Sequence, residues 1–124
     1  MKKSILIVED DINLNTLYKK ILELQGFEVE IAENGKEGVE KFVQTKPSLV
    51  IMDGEMPILN GYDAFKQIKA IDKDANVVII TGFSELEIKN QEAIKEGLIK
   101  VISKPITLKQ IGELAKKYTE IQVK

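Results

Sequence analysis

The chain has 124 residues, one domain's worth, with 18 lysine-plus-arginine against 20 aspartate-plus-glutamate residues and a net charge of −2. Every cation is lysine, and there is no cysteine or histidine, which excludes disulfides, Ser-His or thiolate nucleophiles, Cys- or His-ligated metals and arginine readout of guanine. No apolar run approaches the roughly 18 residues of a membrane span and no basic excess marks a nucleic-acid footprint, so a cytoplasmic chain without membrane or nucleic-acid partners is expected.

Short apolar runs recur at 4–8 (SILIV), 27–32 (FEVEIA), 48–52 (SLVIM), 76–80 (NVVII) and 99–102 (IKVI). The first, third and fourth are continuously apolar and rich in β-branched residues, the pattern of parallel strands covered on both faces. Glu28 and Glu30 interrupt the second run and Lys100 the fifth, which suits edge strands. Between the runs lie helical stripes. Leu14, Leu17, Ile21 and Leu24 form the first, capped by Asp11 or Asn13 and closed by Gly26. Val39, Phe42 and Val43 follow Asn34, the cap of a second helix. Phe65, Ile68 and Ile71 mark a third, and a weakly patterned fourth is expected from Ser84, its cap, to Gly97. The fifth carries Leu108, Ile111, Leu114, Ala115 and Tyr118 after Thr107. Five such units without a linker or low-complexity tract predict one doubly wound α/β domain over residues 1–124.

The residues just beyond the strands carry the chemistry. Strand one runs into Glu9, Asp10 and Asp11, strand three into Asp53, strand four into Thr81, and strand five into Lys104 and Pro105. Taken singly, these read as solvated turns and helix caps. Taken together, they bring carboxylates, a hydroxyl and an amine to the one sheet edge where open α/β folds bind ligands. Clustered carboxylates repel and raise one another's pKa unless a cation intervenes. Oxygen donors without His or Cys select Mg²⁺, Mn²⁺ or Ca²⁺. A carboxylate beside such an ion can act as a nucleophile toward a phosphoryl group, with Lys104 and Thr81 stabilising the transferring oxygens.

These residues resemble the receiver domain of two-component response regulators, and the likeness covers essentially the whole chain. It is carried by Ile5 to Asp11, by Met52-Asp53-Gly54-Glu55-Met56-Pro57 with Asn60-Gly61 beyond, by Ile80-Thr81 and by Lys104-Pro105. The stretch 71–97 is most similar to the stand-alone receiver of the sporulation phosphorelay. The resemblance implies a flavodoxin-like (βα)5 three-layer sandwich with sheet order 2-1-3-4-5, in which strands one and three are neighbours. It implies that Asp53 accepts a phosphoryl group from a sensor histidine kinase or histidine phosphotransferase. Asp10, Asp53 and the backbone carbonyl of Glu55 would ligate Mg²⁺ (Mn²⁺ or Ca²⁺ substituting), with Glu9 acting through water. Thr81 and Lys104 would contact the phosphoryl oxygens, and Glu55 and Phe83 would flank the path of an attacking water.

The expected protein is thus a stand-alone, monomeric phosphoacceptor rather than an enzyme. It would phosphorylate itself from small donors with Mg²⁺, lose the group slowly, and pass its signal to a downstream protein through the first and fourth helices. Two departures from the family stand out: Gly82 where most members have alanine, and Val101 where most have an aromatic or histidine. A flavodoxin would need a hydroxyl-rich phosphate loop in place of Glu9-Asp10-Asp11. A haloacid-dehalogenase phosphatase would need Asp-x-Asp after strand one, and a silent pseudo-receiver would not need the full set of site residues.

Overall fold

The computed structural model describes residues 3–82 and 87–120. Five strands, β1 (Ser4–Val8), β2 (Glu28–Ala32), β3 (Leu49–Asp53), β4 (Val77–Thr81) and β5 (Lys100–Ser103), alternate with five helices. These are α1 (Ile12–Leu24), α2 (Gly35–Thr45), α3 (Gly61–Ile71), α4 (Ile88–Lys95) and α5 (Leu108–Glu120). The strands form one parallel sheet in the order β2-β1-β3-β4-β5, as the resemblance implied. The continuously apolar runs are its three central strands. β2 and β5 are the edges, with Glu28, Glu30 and Lys100 facing solvent.

Strands three to five each reach one residue further than their apolar runs, so that Asp53, Thr81 and Ser103 are strand residues. The ladder explains this. Asp53 pairs with Ile80 and Thr81 with Ser103, because backbone pairing continues regardless of side-chain polarity. Alternation along each strand then divides the core in two. Leu6, Val8, Val50, Met52 and Ile79 face Phe42 of α2, Phe65 and Ile68 of α3 and Ala93 of α4. Ile5, Ile7, Ile51, Val78 and Ile80 face Tyr18 and Leu22 of α1 and Ile111 and Ala115 of α5.

The helices begin where the caps place them. Asp11, not Asn13, caps α1, its Oδ1 accepting from the amides of Asn13 and Leu14. Asn34 caps α2, and Thr107 and Gln110 bond reciprocally at the start of α5. Gly26, at φ +97°, takes the left-handed turn after α1. The buried face of α1 differs from the expected stripe. Leu17 and Leu24 are exposed, and Asn15, Tyr18 and Leu22 are buried instead. Asn15 sets that rotation, because its Nδ2 donates to the carbonyls of Glu9 (3.1 Å) and Ala32 (2.9 Å), tying α1 to the ends of β1 and β2. Val43 and Ile71 are likewise exposed rather than core. The described part of the fourth helix starts at Ile88. The expected cap Ser84, and Phe83, lie outside the described residues. Among the described residues no helix is long and apolar enough to cross a membrane.

Candidate phosphoryl and metal site

The carboxyl ends of β1, β3, β4 and β5 open onto a cavity of about 460 Å³ lined by Glu9, Asp10, Asp53, Glu55 and Lys104. β1 and β3 are paired neighbours, so the loop after Val8 stands beside Asp53. Glu9 is 7% and Asp53 4% exposed, whereas Asp10 faces solvent. One carboxylate oxygen from each of the three lies within 4.8 Å of the others. These are hard oxygen donors at a spacing that one small divalent cation can bridge.

Local hydrogen bonds hold each group in place. Glu9 Oε2 accepts from the Asp11 amide at 3.0 Å. Asp53 Oδ1 accepts from the Glu55 amide at 3.1 Å, an Asx-type turn that folds the chain back directly after β3. That turn is closed by Gly61, whose amide donates to Gly54 O at 3.0 Å. A Cβ at Gly61 would stand 2.2 Å from the Asp53 carbonyl oxygen, so only glycine lets α3 start so close behind the site. Across the sheet, the Lys104 amide donates to Thr81 O at 2.8 Å, aligning the segment after β5 with the end of β4. From there Lys104 Nζ reaches Asp53 Oδ1 at 2.9 Å.

The electrostatics are set by burial. Desolvation pushes Glu9 up to about 7, opposed by the Asp11 amide and reinforced by the charge on Asp53. Burial also holds Asp53 above its ordinary value, although Lys104 and the Glu55 amide pull it down. For Lys104 burial acts downward, but its hydrogen bond and charge interaction with Asp53 outweigh it, leaving it above its ordinary value. The site is short of positive charge.

All the expected residues therefore meet: Glu9, Asp10, Asp53, Thr81 and Lys104, with Glu55 beside them. Two features go beyond the expectations. The Glu55 side chain, expected beside the path of an attacking water, bonds the hydroxyl and amide at the end of β4. It accepts from Thr81 Oγ1 and from the Gly82 amide (2.9 Å), with Oε1 4.0 Å from Lys104 Nζ. The second is Tyr62 of α3, which is buried, with its ring edge 3.0 Å from where a Gly54 Cβ would stand and the Thr81 Cβ 3.2 Å from that same point. Its hydroxyl donates to Asn90 Oδ1 on α4. An aromatic thus does lie near Thr81, but it comes from α3 and not from β5, where Val101 is buried in the core. The available signals were the carboxylate two residues after Asp53 and a tyrosine next to Gly61; neither states which way the side chain turns.

Residues 5–116 match the family model described as the response regulator receiver domain. The chain is 36% identical to the chemotaxis protein CheY of Thermotoga maritima, over 97% of this chain and all of that protein. It is 29% identical to sporulation initiation phosphotransferase F of Bacillus subtilis, over 98% of each chain. Among solved structures, a CheY-like receiver domain protein from Methanospirillum hungatei JF-1 superposes with a TM-score of 0.90 at 27% identity, covering 99% of this chain and 98% of that one.

Proposed function

Because this chain belongs to the response regulator receiver domain family, we propose that Asp53 is its phosphoacceptor and that phosphorylation changes its affinity for a downstream protein. The donor is a phosphohistidine on a sensor histidine kinase or histidine phosphotransferase. An Asp53 carboxylate oxygen forms the new P–O bond as the P–N bond to imidazole breaks. The electron pair leaves on the imidazole nitrogen, which takes a proton from solvent. Asp53 needs no general base, since a carboxylate has no proton to lose. Lys104 and Thr81 donate to the phosphoryl oxygens as charge develops.

The observation that carries this reading is a buried nucleophilic carboxylate, Asp53, with an ammonium at 2.9 Å and two further carboxylates within 4.8 Å. The donor set suits Mg²⁺, with Mn²⁺ or Ca²⁺ as substitutes: Asp10, Asp53 and the Glu55 backbone carbonyl would hold the ion, and Glu9 would reach it through water. When bound, the cation supplies the positive charge that lets the carboxylates and the phosphoryl oxygens share one site. The domain acts as a monomer in the cytoplasm.

The test is intact-mass spectrometry after incubation with acetyl phosphate and Mg²⁺. One added phosphoryl group is expected in the natural chain and none in Asp53→Asn. Asp10→Asn should fold normally and stay unlabelled at limiting Mg²⁺. A natural chain that takes no label would instead be a silent interaction module.

A further inference from the structure

Glu55 turns its carboxylate toward the hydroxyl and ammonium proposed above to meet the phosphoryl oxygens. It accepts from Thr81 Oγ1 and from the Gly82 amide at 2.9 Å, and its Oε1 is 4.0 Å from Lys104 Nζ. These three donors come from the end of β4, the residue after it, and the segment after β5. A hydroxyl, a backbone amide and an ammonium are the groups that stabilise anionic oxygens. They converge beside the nucleophile, because the same Lys104 Nζ is 2.9 Å from Asp53 Oδ1. A hydroxyl or amide proton given to one anion is withheld from another.

We propose that the Glu55 carboxylate is an internal occupant of the phosphoryl site, holding the Thr81 hydroxyl and the Gly82 amide and facing the charge of Lys104 until an incoming phosphoryl group displaces it. The proposal rests on Asp53 being the phosphoacceptor and adds a gate to that reaction. Glu55 is suited to leaving. Its side chain is 36% exposed, so water can receive the displaced carboxylate, whereas Asp53 and Glu9 are buried. Its backbone is held by the hydrogen bond that its amide donates to Asp53 Oδ1, so only side-chain torsions need to change. The gate also has a second role. While closed, it satisfies the Gly82 amide and the Thr81 hydroxyl, so the donors are already arranged before any phosphoryl group arrives.

These two roles predict opposite effects of one substitution. Glu55→Ala should bind the phosphoryl mimic more tightly, because no fraction of the molecules is closed. The same variant should hold Gly82 less firmly when unliganded, because its acceptor is gone. The experiment titrates beryllofluoride at saturating Mg²⁺ into the ¹⁵N-labelled chain, its Glu55→Ala variant and its Glu55→Gln variant. Half-saturation in Glu55→Ala is expected at about tenfold lower beryllofluoride than in the natural chain, with Glu55→Gln between them. Glu55→Gln keeps the side chain's size and one carbonyl acceptor, and it carries the test if the alanine variant folds poorly. Before beryllofluoride is added, the Gly82 amide should exchange faster with solvent in Glu55→Ala. Equal or weaker beryllofluoride binding in both variants, or an unchanged Gly82 amide in Glu55→Ala, overturns the gate and leaves the phosphoacceptor reading intact. If no form of the chain binds beryllofluoride, that reading falls and the gate falls with it.

Discussion

Glu9 and Asp53 are buried beside Lys104, and their protonation is therefore linked to folding. A carboxyl group raised from 4.5 to about 7 binds more protons in the folded than in the unfolded chain between those values. Stability consequently falls as pH rises through that window, and Asp53, shifted in the same direction, adds to the slope. In chelator, thermal melts should show the protein less stable at about pH 8 than at about pH 5, by on the order of 1–3 kcal/mol. Mg²⁺ should narrow the gap by favouring the ionised carboxylates. A metal-free protein that gains stability across the same interval would contradict this account of the site's charge.

Ile58 holds a strained backbone conformation. Its φ is +72°, a region that β-branched residues rarely enter, in a three-residue turn closed by the Leu59 amide on Pro57 O at 2.8 Å. At 77% exposure its side chain gains little from burial. Ile58→Gly should therefore raise stability by about 1 kcal/mol, read as a higher urea midpoint at unchanged slope. A lower midpoint would mean that the isoleucine makes up for its backbone conformation elsewhere.

At the scale of elements, a buried bond from Tyr62 of α3 to Asn90 of α4 leads from beside Thr81 to a neighbouring helix. α4 is eight residues long, and Asn90 and Ala93 are its buried residues. Tyr62→Phe should cost about 1 kcal/mol and loosen α4 selectively. Hydrogen exchange should speed up for the amides of Ile88–Lys95 and stay unchanged in α1 and α5. Uniform loss of protection would show that the bond serves the whole core. The same elements mark where sequence patterns stop being informative. Leu14, Leu17, Ile21 and Leu24 make a regular stripe, yet the helix turns so that polar Asn15 reaches Glu9 O and Ala32 O, which leaves Leu17 and Leu24 exposed. Periodicity counts apolar residues; it does not see a buried amide that two strand ends require. α4 has the opposite problem, too few apolar positions to show a stripe at all.

For the molecule as a whole, the division into central and edge strands and the edge that carries the site were legible in long-range regularities, whereas the full strand order followed from the family resemblance. Continuous apolar runs must be central and charge-interrupted runs must be edges, and parallel strands deliver their last residues to one side. The pattern alone brings Asp53, Thr81 and Lys104 to one sheet edge with Glu9 and Asp10, and the resemblance implied that the two acids lie next to Asp53. The direction of the Glu55 side chain could not be read in this way, because it depends on a turn held by Asp53 Oδ1 and on donors from two distant strands. The use of Tyr62, rather than a β5 aromatic, beside Thr81 was equally hidden. Val101 announced only that the usual ring was missing.

On the proposed reading, phosphoryl transfer ends on one buried carboxylate, that of Asp53. It can be read directly by chemical trapping. After incubation with acetyl phosphate and Mg²⁺, borohydride reduces an aspartyl phosphate to homoserine, and peptide sequencing by mass spectrometry locates the converted residue. Homoserine at position 53, and at no other aspartate, is the predicted result. Conversion at Asp10 or Asp11 with Asp53 intact would contradict it.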